Sequence, residues 1–432
     1  MTSVTTPTNF TELGLIPPLL TRLTELEYQQ PTPIQAQAIP SVLAGRDLIA
    51  GANTGSGKTA TFALPILQQL HAEKSLANKG RHQSKGNYVA DLVLVPTREL
   101  AKQVADNIKS YAVHFNGKIK TVAVFGGVSV NTQMLALRGG TDILVATPGR
   151  LLDLISSNAI KLDRVKTLVL DEADRMLSLG FTDELSALLA LLPKKKQVLL
   201  FSATFPEQVQ ALTQELLNEP VEIQLQSTDS STLVQRVFTV NKGKKTAVLS
   251  HLIKQEQWRQ ALIFVNAKNS CNHLAEKLAK RGISAEVFHG DKGQGARNRV
   301  LEAFKSGEVE VLIATDIAAR GLDIDKLPVV INFDLPRSPS DYMHRIGRSG
   351  RAGEVGLALS LIDQDDYHHF KVIEKKNKIW LEREQVEGFE ADDVIPSAID
   401  KPMAKPEGSG KKKRKKKMSV NADIWLKCSV SE

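Results

Sequence analysis

The sequence predicts an α/β protein with two domains, each a parallel sheet flanked by helices. Short continuous apolar runs alternate with segments of helical period, which is typical of strands buried on both faces of a parallel sheet. In the first half of the chain the runs lie at 47–50, 91–95, 143–145, 168–170 and 198–201. In the second half they lie at 261–265, 285–288, 311–313 and 329–333. A chain of 432 residues can bury a full core in each domain.

Polar segments separate and follow the two predicted domains. The first domain is expected at 1–223 and the second at 234–380. Residues 224–233 are polar and have no clear period, which predicts a flexible linker. Residues 381–432 are acidic, then punctuated by Pro and Gly, then basic, and we expect a disordered tail. The insertion at 72–90 is rich in Lys, Gly, Gln and Asn and is expected to be mobile.

The positive charge of the chain is concentrated in its tail. The net charge is +8, and the ten Lys/Arg and three Asp/Glu from Lys401 to Glu432 account for +7 of it. The first 400 residues therefore carry only +1, so polyanion binding by the body must come from individually placed residues. The basic run 411–417 has three open interpretations: a non-specific RNA tether, a solvated solubility segment, or a nuclear localisation signal.

Several features indicate a cytosolic protein. Cys271 and Cys428 lie far apart and form no ligand-like pair, which fits a reducing compartment. The first ten residues lack the basic and apolar regions of a secretory signal. No apolar run approaches the ~18 residues that a membrane span requires, so we expect no membrane partner.

The stretch ANTGSGKT, from Ala52 to Thr59, predicts a phosphate-binding loop. It follows an apolar run and precedes a segment of helical period, which is the context that such a loop needs. Gly55 and Gly57 allow backbone N–H groups to turn toward an anion at the helix N-terminus. Lys58 would reach the β- and γ-phosphates and Thr59 would ligate Mg²⁺. Because Ala52 stands where the strict pattern has glycine, a glycine-rich turn with a chance lysine stays open on this stretch alone.

Acidic residues follow the apolar run at 168–170. Asp171 would hold Mg²⁺ through water, opposite Thr59 on the same sheet edge. Glu172 would accept the proton of an attacking water. Adjacent acids at a strand end are often only solvated loop charge, which is the alternative interpretation.

The order of the motifs resembles that of DEAD-box RNA helicases over about residues 10–380. The matching segments, in chain order, are YQQPTPIQ (28–35), the loop 52–59, PTREL (96–100), GG (126–127), TPGR (147–150), DEAD (171–174), SAT (202–204), ATDIAARGLD (314–323) and HRIGRSGR (344–351). The segments 288–307 and 137–140 are most similar to the bacterial RhlE-type branch. The resemblance implies two RecA-like domains, with a nucleotide-recognition region at 8–36.

The resemblance also implies that ATP and Mg²⁺ bind between the domains. Gln35 would pair with adenine and select ATP, although a surface amide is the alternative for Gln35 alone. Phe10 would stack on the base and Asp323 would meet the ribose, while Glu27 stands where the family usually has glycine before Tyr28. The implied ATP contacts are Phe10, Tyr28, Gln35, Ala52, Asn53, Thr54, Gly55, Ser56, Gly57, Lys58, Thr59 and Asp323.

The second domain is implied to complete the catalytic site. Its arginines would stabilise charge on the γ-phosphate, whereas isolated arginines more often form salt bridges. The implied catalytic residues are Lys58, Asp171, Glu172, Arg348 and Arg351. Short hydroxyls after a strand would couple hydrolysis to strand separation, and a strand-end turn is their alternative role. The implied coupling residues are Asp174, Ser202, Thr204 and His344.

The RNA contacts implied by the resemblance are independent of base sequence. Hydroxyls, arginines and exposed N–H groups contact phosphate and 2′-OH without reading bases. The implied residues are Thr97, Arg98, Gly127, Thr147, Gly149, Arg150, Thr315 and Arg320.

Together these features predict a monomeric, RNA-dependent ATPase that locally and non-processively unwinds short RNA duplexes or remodels RNA–protein complexes. Ribosome assembly and RNA turnover both fit, with a ribosomal precursor or the decay machinery as partner. One rival is a DNA translocase of the same superfamily, against which the DEAD and PTPIQ segments argue. The other is a non-catalytic RNA clamp, which would not need Lys58, Glu172 or the arginine pair.

Overall fold

The computed structural model describes residues 7–51, 56–77, 86–115, 119–224, 233–319, 327–350 and 356–392. These residues form two sheets of seven strands each, and neighbouring strands in both sheets are parallel. We call the described residues between 7 and 224 the first lobe and those between 233 and 392 the second lobe. The prediction of two parallel α/β sheets is confirmed.

The first lobe begins with a 3₁₀ helix at Phe10–Leu13. Its strands are β1 Leu48–Gly51, β2 Val89–Leu94, β3 Thr121–Val124, β4 Thr141–Ala146, β5 Thr167–Leu170, β6 Gln197–Ser202 and β7 Val221–Gln224. Its helices are α1 Pro17–Glu25, α2 Pro33–Leu43, α3 Lys58–Ala77, α4 Arg98–Tyr111, α5 Val130–Leu137, α6 Pro148–Ser156, α7 Ala173–Ser178, α8 Thr182–Ala190 and α9 Glu207–Leu216. The strand order is β3-β4-β2-β5-β6-β1-β7.

The second lobe repeats this arrangement. Its strands are β8 Leu233–Thr239, β9 Ala261–Val265, β10 Glu286–Phe288, β11 Val311–Thr315, β12 Val329–Asn332, β13 Gly356–Ile362 and β14 Arg383–Glu384. Its helices are α10 Lys245–Gln255, α11 Lys268–Ala279, α12 Gln294–Lys305, α13 Asp316–Ala319, α14 Pro339–Ile346 and α15 Tyr367–Asn377, with a 3₁₀ helix at Lys242–Lys244. The order β10-β11-β9-β12-β13-β8-β14 matches the first sheet strand for strand.

Each sheet is buried between helices on both faces, as continuous apolar strands require. In β2, Val93 packs with residues of α3 and α4, whereas Leu92 and Leu94 pack on the opposite face with residues of α6 and α8. Because successive side chains of a strand point to opposite faces, an uninterrupted apolar run satisfies both layers. The carboxyl ends of the strands share one edge, where parallel α/β sheets bind ligands. Among the described residues, every helix is too short or too polar to span a bilayer.

The second lobe extends beyond its predicted end at residue 380. Strand β14 pairs with β8, and Val386 and Phe389 pack against the core beside α10 and α11. The expectation of a disordered tail from 381 is therefore wrong for 381–392. The rest of the tail, including 411–417, lies outside the described residues, as does 225–232 of the predicted linker.

The predicted mobile insertion at 72–90 is partly regular structure. Helix α3 continues to Ala77 and β2 begins at Val89. The buried apolar face of α3 ends at Leu70, and residues 71–75, which follow it in the helix, are partly or fully exposed. Residues 78–85 of this insertion lie outside the described part of the chain.

Candidate active site and nucleic-acid interface

The turn before α3 is fixed by the side chains of Thr32 and Gln35. The Thr32 hydroxyl donates to the Ser56 carbonyl oxygen at 2.8 Å, and Gln35 Nε2 donates to the Gly57 carbonyl oxygen at 3.2 Å. The buried Gln35 Oε1 accepts from Thr32 N at 2.9 Å. Gly57 has φ +91°, and a Cβ at this position would clash with Gln35 Nε2, so glycine is required here. The start of α2 thereby positions the start of α3.

Lys58 and Asp171 face each other without a hydrogen bond. Their Nζ and Oδ1 atoms are 3.7 Å apart, and both side chains are buried. Among the described residues neither of these two atoms has a hydrogen-bond partner. Burial raises the pKa of Asp171 to about 6, and the charge of Lys58 offsets this only in part. Buried polar atoms without partners are costly, so the pair fits a site where ligands supply a phosphate to Lys58 and a cation to Asp171.

Glu172 is held as an ionised carboxylate before α7. It adopts the left-handed conformation, with φ 54° and ψ 52°, which stores strain in a non-glycine residue and is common at functional sites. Its Oε2 accepts from Arg175 Nη1 at 3.3 Å. Burial alone would raise the pKa of Glu172, but the charges of Arg175 and Lys58 outweigh it and lower this pKa to about 2.

A cavity of about 640 Å³ joins these groups to the second lobe. Its wall includes Lys58, Asp171 and Glu172 from the first lobe and the buried Arg348 from the second. Thr59 and Gln35 also line it. A volume of this size suits a nucleotide-sized ligand. The structure therefore brings together most of the residues predicted to contact ATP that it describes.

The aromatic wall of the cavity differs from the prediction. Tyr28 and Tyr111 line it, and their hydroxyl oxygens are 3.2 Å apart. Phe10, predicted to stack on the base, is 6% exposed in the core, with its ring centroid 6.4 Å from that of Tyr28. Among the described residues, the cavity wall includes the two tyrosines but not Phe10, because the side chain of Phe10 completes the apolar layer under α1 and α2. Tyr111 of α4 belongs to no motif, and the sequence carried no signal for it.

The departure from the family pattern at Glu27 has a structural consequence. Glu27 has φ 59°, which is the left-handed region that glycine occupies without strain. The chain turns there at the end of α1, where Tyr28 N donates to the Leu23 carbonyl oxygen at 2.9 Å. This position therefore keeps the turn for which glycine is usual, at some cost in backbone strain.

The four predicted coupling residues meet at the ends of β5 and β6. Asp174 Oδ2 accepts from the backbone N and hydroxyl of Thr204, at 3.0 and 2.7 Å. Ser202 Oγ accepts from Asp174 N at 3.3 Å and donates to the Thr204 carbonyl oxygen at 2.6 Å. His344 Nε2 of the second lobe lies 3.9 Å from Asp174 Oδ2, and burial lowers the pKa of His344. This network thus links two first-lobe strand ends to α14.

The residues predicted to contact RNA in the first lobe gather after β2, β3 and β4, which are neighbours in the sheet. Thr97 caps α4, and a Cβ at Gly127 would lie 2.7 Å from Arg98 Nη1, so the two loops pack closely. Arg150 Nη1 donates to the Val128 carbonyl oxygen at 3.0 Å. Thr147 precedes α6, and Gly149 in its first turn faces open space. In the second lobe, Thr315 ends β11 and is buried.

An ion pair between the lobes was not predicted. Arg297 Nη2 of α12 contacts Glu99 Oε1 of α4, and the Arg297 guanidinium lies 4.9 Å from the Phe288 ring centroid. Glu99 also accepts from Arg98 Nε at 3.0 Å. A residue predicted to contact RNA is therefore tied to the second lobe. The two partners are 198 positions apart, so only their place within recognised motifs hinted at a role.

Several predicted site residues lie outside the part of the chain that the structure describes. Their roles stay predictions from the sequence. They are Ala52, Asn53, Thr54, Gly55, Arg320, Asp323 and Arg351.

Family models match both lobes. The DEAD/DEAH box helicase model matches residues 32–212, and the helicase conserved C-terminal domain model matches residues 244–353. The ATP-dependent RNA helicase DeaD of Escherichia coli is 40% identical over 376 residues, which cover 87% of this chain and 58% of DeaD. The chain thus spans less than two thirds of the length of DeaD. The DEAD-box ATP-dependent RNA helicase CshA of Bacillus cereus is 39% identical over 378 residues, covering 87% of this chain and 69% of CshA.

Solved structures of Saccharomyces cerevisiae Dbp5 are similar throughout both lobes. Dbp5 bound to RNA and ADP BeF3 has a TM-score of 0.75 and 30% identity, over 88% of this chain and 96% of that one. A Dbp5 variant bound to Nup159, Gle1, IP6 and ADP is 30% identical over 87% of this chain and 96% of that one, with a TM-score of 0.57. The fold is that of two RecA-like domains. On these matches the chain belongs to the DEAD-box family of helicases.

Proposed function

We propose that this protein is an RNA-dependent ATPase that locally and non-processively separates short RNA duplexes or remodels RNA–protein complexes. The observation that carries the proposal is the shared cavity wall of Lys58, Asp171, Glu172 and Arg348. Groups that stabilise phosphoryl transfer are divided between two lobes, so turnover requires both lobes to be held together. The names of the E. coli and B. cereus relatives support the same activity.

ATP and Mg²⁺ are the ligands that these residues fit. Lys58 Nζ would bind the terminal phosphates, and Gln35, which lines the cavity, would select adenine. Mg²⁺ supplies positive charge to the β- and γ-phosphate oxygens, and Thr59 and Asp171 would hold it through water. The raised pKa of Asp171 supports this assignment, because a nearby cation would offset the burial of its carboxylate.

The catalytic roles follow from charge and position. Glu172 is ionised at neutral pH and would orient the attacking water and accept its proton. Arg348 would stabilise the charge that develops on the transferred phosphoryl group. The contact of Asp174 with Ser202, Thr204 and His344 would report the state of the nucleotide to the second lobe, which is the proposed coupling of hydrolysis to strand separation.

RNA and ATP would favour the same closed arrangement of the lobes. The higher TM-score with the Dbp5 structure that holds RNA and ADP BeF3 supports this, as does the Glu99–Arg297 pair between the lobes. A ligand that contacts both lobes stabilises their closed form, so each ligand should tighten binding of the other. Closure on one strand would then displace its partner locally, and hydrolysis would reopen the cleft.

The finer predictions are carried forward on sequence alone. They are a role in ribosome assembly or RNA turnover, a cytoplasmic location, a monomeric state, membership of the RhlE-type branch, and the use of the basic run 411–417 as an RNA tether. Association with a ribosomal precursor or with decay enzymes in a pull-down would separate the first two roles.

Phosphate release from ATP, measured at fixed salt with and without an RNA duplex bearing a single-stranded overhang, tests the proposal. Strong stimulation by RNA, and loss of turnover in Glu172→Gln, are expected. Equal stimulation by a matched DNA duplex would favour a DNA translocase. Absence of turnover with and without RNA, together with tight RNA binding, would favour a non-catalytic RNA clamp.

A further inference from the structure

Helix α15 and the residues after it form an exposed basic surface. Lys371, Lys375, Lys376 and Lys378 are all exposed, in a body whose first 400 residues carry a net charge of only +1. The single acid among residues 371–378 is Glu374, which is buried and bonded to Arg383 at 2.7 Å. We call these four lysines together with Trp380 the α15 surface.

The lysines of this surface are not neutralised by their neighbours. Lys375, Lys376 and Lys378 form no ion pair with any residue in the described part of the chain, and Lys371 Nζ lies 4.8 Å from the Tyr367 ring centroid. The exposed Glu382 follows two residues after Trp380 and offsets one charge. The described acids after residue 386 are Glu387, Glu390 and Asp392. They flank Phe389, which packs in a different core cluster from α15.

Trp380 is exposed to solvent, and the residues on both sides of it are fixed to the core. It is 77% exposed, whereas its neighbours Ile379 and Leu381 pack against the core cluster of α14 and α15. Lys378 ends α15 in the left-handed conformation, with φ 55°. Ile379 N then donates to the Glu374 carbonyl oxygen, and Leu381 N donates to Glu374 Oε1, both at 3.1 Å. The backbone on both sides of the indole is therefore anchored.

We propose that the α15 surface is a second binding site for single-stranded RNA, separate from the interface at the strand ends. An exposed, anchored indole offers a stacking face for any base, and unpaired lysines beside it offer contacts to phosphates. The inference rests on the proposed function, because it assumes that RNA is the ligand of the protein. The basic tail from Lys401 onward is an unfavourable occupant, since its net charge of +7 has the same sign.

The position of the surface sets the length of RNA that can use both sites. Thr315 ends β11, while Trp380 precedes β14, and five strand spacings separate these two strands in the sheet. At about 4.8 Å per spacing, the separation across the sheet is at least about 24 Å, since Trp380 also lies before its strand whereas Thr315 ends its own. At about 3.4 Å per stacked nucleotide, this corresponds to at least about seven nucleotides. The α15 surface would therefore hold one single-stranded segment of an RNA while the cleft acts on the adjoining segment.

The first test compares the binding of two oligouridines, a short one that fills only the cleft and one longer by at least this span. Trp380→Ala should weaken binding of the long oligonucleotide about tenfold, which is the range for loss of one stacked base. Lys375→Gln with Lys376→Gln should lower the log–log salt slope for the long oligonucleotide by about 1.4. Binding of the short oligonucleotide should change in neither variant.

Lys194→Gln with Lys195→Gln is the matched control, since it removes two exposed lysines from the loop after α8. An equal loss in this control, or equal binding of the long oligonucleotide by all proteins, would overturn the inference. The failure of the proposed function looks different: RNA would then not stimulate hydrolysis by the unmodified protein at all.

A second test detects contact with the indole. In a Trp258→Phe, Trp425→Phe background, Trp380 is the remaining tryptophan of the chain. Its fluorescence should be quenched by the long oligonucleotide and not by the short one. Unchanged fluorescence at saturating long RNA would exclude stacking. Binding of a protein partner through this surface, with no quenching by RNA, would reassign it to that partner.

Discussion

Lys58 and Lys245 occupy the same place in the two lobes, yet their surroundings differ. Each is the first residue of the helix that follows the first strand of its lobe, α3 after β1 and α10 after β8, and each is 7% exposed. Among the residues that the structure describes, Lys58 Nζ has one carboxylate oxygen within 4.0 Å, Asp171 Oδ1 at 3.7 Å. Lys245 Nζ contacts Asp363 Oδ2 at 3.1 Å and Asp366 Oδ2 at 2.5 Å.

The difference comes from the residues that end one neighbouring strand. In the second lobe β13 lies beside β8 and is followed by Asp363, which neutralises Lys245. In the first lobe β6 lies beside β1 and ends at Ser202, which turns toward Asp174 and leaves Lys58 available to a ligand. One topology therefore yields a ligand site in one lobe and an internal ion pair in the other, which illustrates that function depends on the site and not on the fold.

The largest expected effect tests whether catalysis requires an arginine of the second lobe. Arg348→Ala should lower RNA-stimulated turnover by about 10³-fold or more, because it removes the second lobe's charge from the cavity. Phosphate release at saturating ATP and RNA measures it. Arg337→Ala, at an exposed arginine before α14, is the control and should retain turnover. Retained turnover in Arg348→Ala would mean that Arg348 is not one of the catalytic groups.

The next effect compares the two lysines directly. Lys58→Met should lower turnover about 10²- to 10³-fold, since it removes a preorganised donor to the phosphates. Lys245→Met, measured per folded molecule at a temperature where it remains folded, should turn over like the unmodified protein. Similar losses of turnover in the two variants would contradict the comparison.

The same two variants should rank in the opposite order for stability, with the larger loss in Lys245→Met. Lys245→Met leaves two carboxylates near each other without their shared cation, so the free energy of unfolding should fall by about 3 kcal/mol. Lys58→Met should lower the free energy of unfolding by less, because Lys58 offsets the burial of one carboxylate, Asp171, and its own amine is buried without a hydrogen-bond partner among the described residues. Urea unfolding followed by circular dichroism checks both variants. Equal destabilisation would show that Lys58 is also a structural residue.

A smaller effect concerns the strands at the centre of the sheets. Strand β9 is apolar throughout, whereas β2, in the corresponding place, contains the buried Asp91. Burial raises the pKa of Asp91 from 3.8 to about 7. The pKa of Asp91 is higher in the folded state than in the unfolded state, so protonation of Asp91 contributes to stability. This contribution is complete below the unfolded-state pKa of about 4 and is lost as the pH rises through 7. Asp91→Asn should therefore raise the free energy of unfolding at pH 8 by on the order of 2 kcal/mol.

The same variant should have little effect at about pH 3, where Asp91 is mostly protonated in both the folded and the unfolded state. Urea unfolding at the two pH values gives the difference, and Asp163→Asn, at an exposed acid of the same lobe, should change neither. A gain of the same size at both pH values would point to packing and not to the charge of Asp91.

The buried strands could be predicted from the sequence because burial on both faces demands continuous apolar runs. Strands β2, β5, β9 and β12 are examples, and the polar residues after β2 and β5 identify the ligand edge. Not every strand was predicted: β3, β8 and the buried β13 belong to no predicted run. The edge strands β7 and β14 also escaped prediction, since few of their residues are buried and no apolar run marks them.

Within the site, the sequence by itself determined the local groups. The strand, turn and first helical residue around Lys58 lie within a few positions of each other, and so do Asp171 and Glu172. Local spacing is enough to assign such residues to one strand end. The order of the motifs also indicated some of their partners inside the first lobe, such as Thr204 for Asp174.

Only the tertiary structure decided which distant residues meet. Two ion pairs join separate elements, Glu99 with Arg297 and Lys245 with Asp363. Packing also brings Arg348 and Glu172 to the wall of one cavity and buries Phe10 near Tyr28. A side chain's charge and size are written in the sequence, but its neighbours depend on how sheets and lobes pack. Whether a buried lysine binds a ligand or an internal carboxylate is therefore settled by packing.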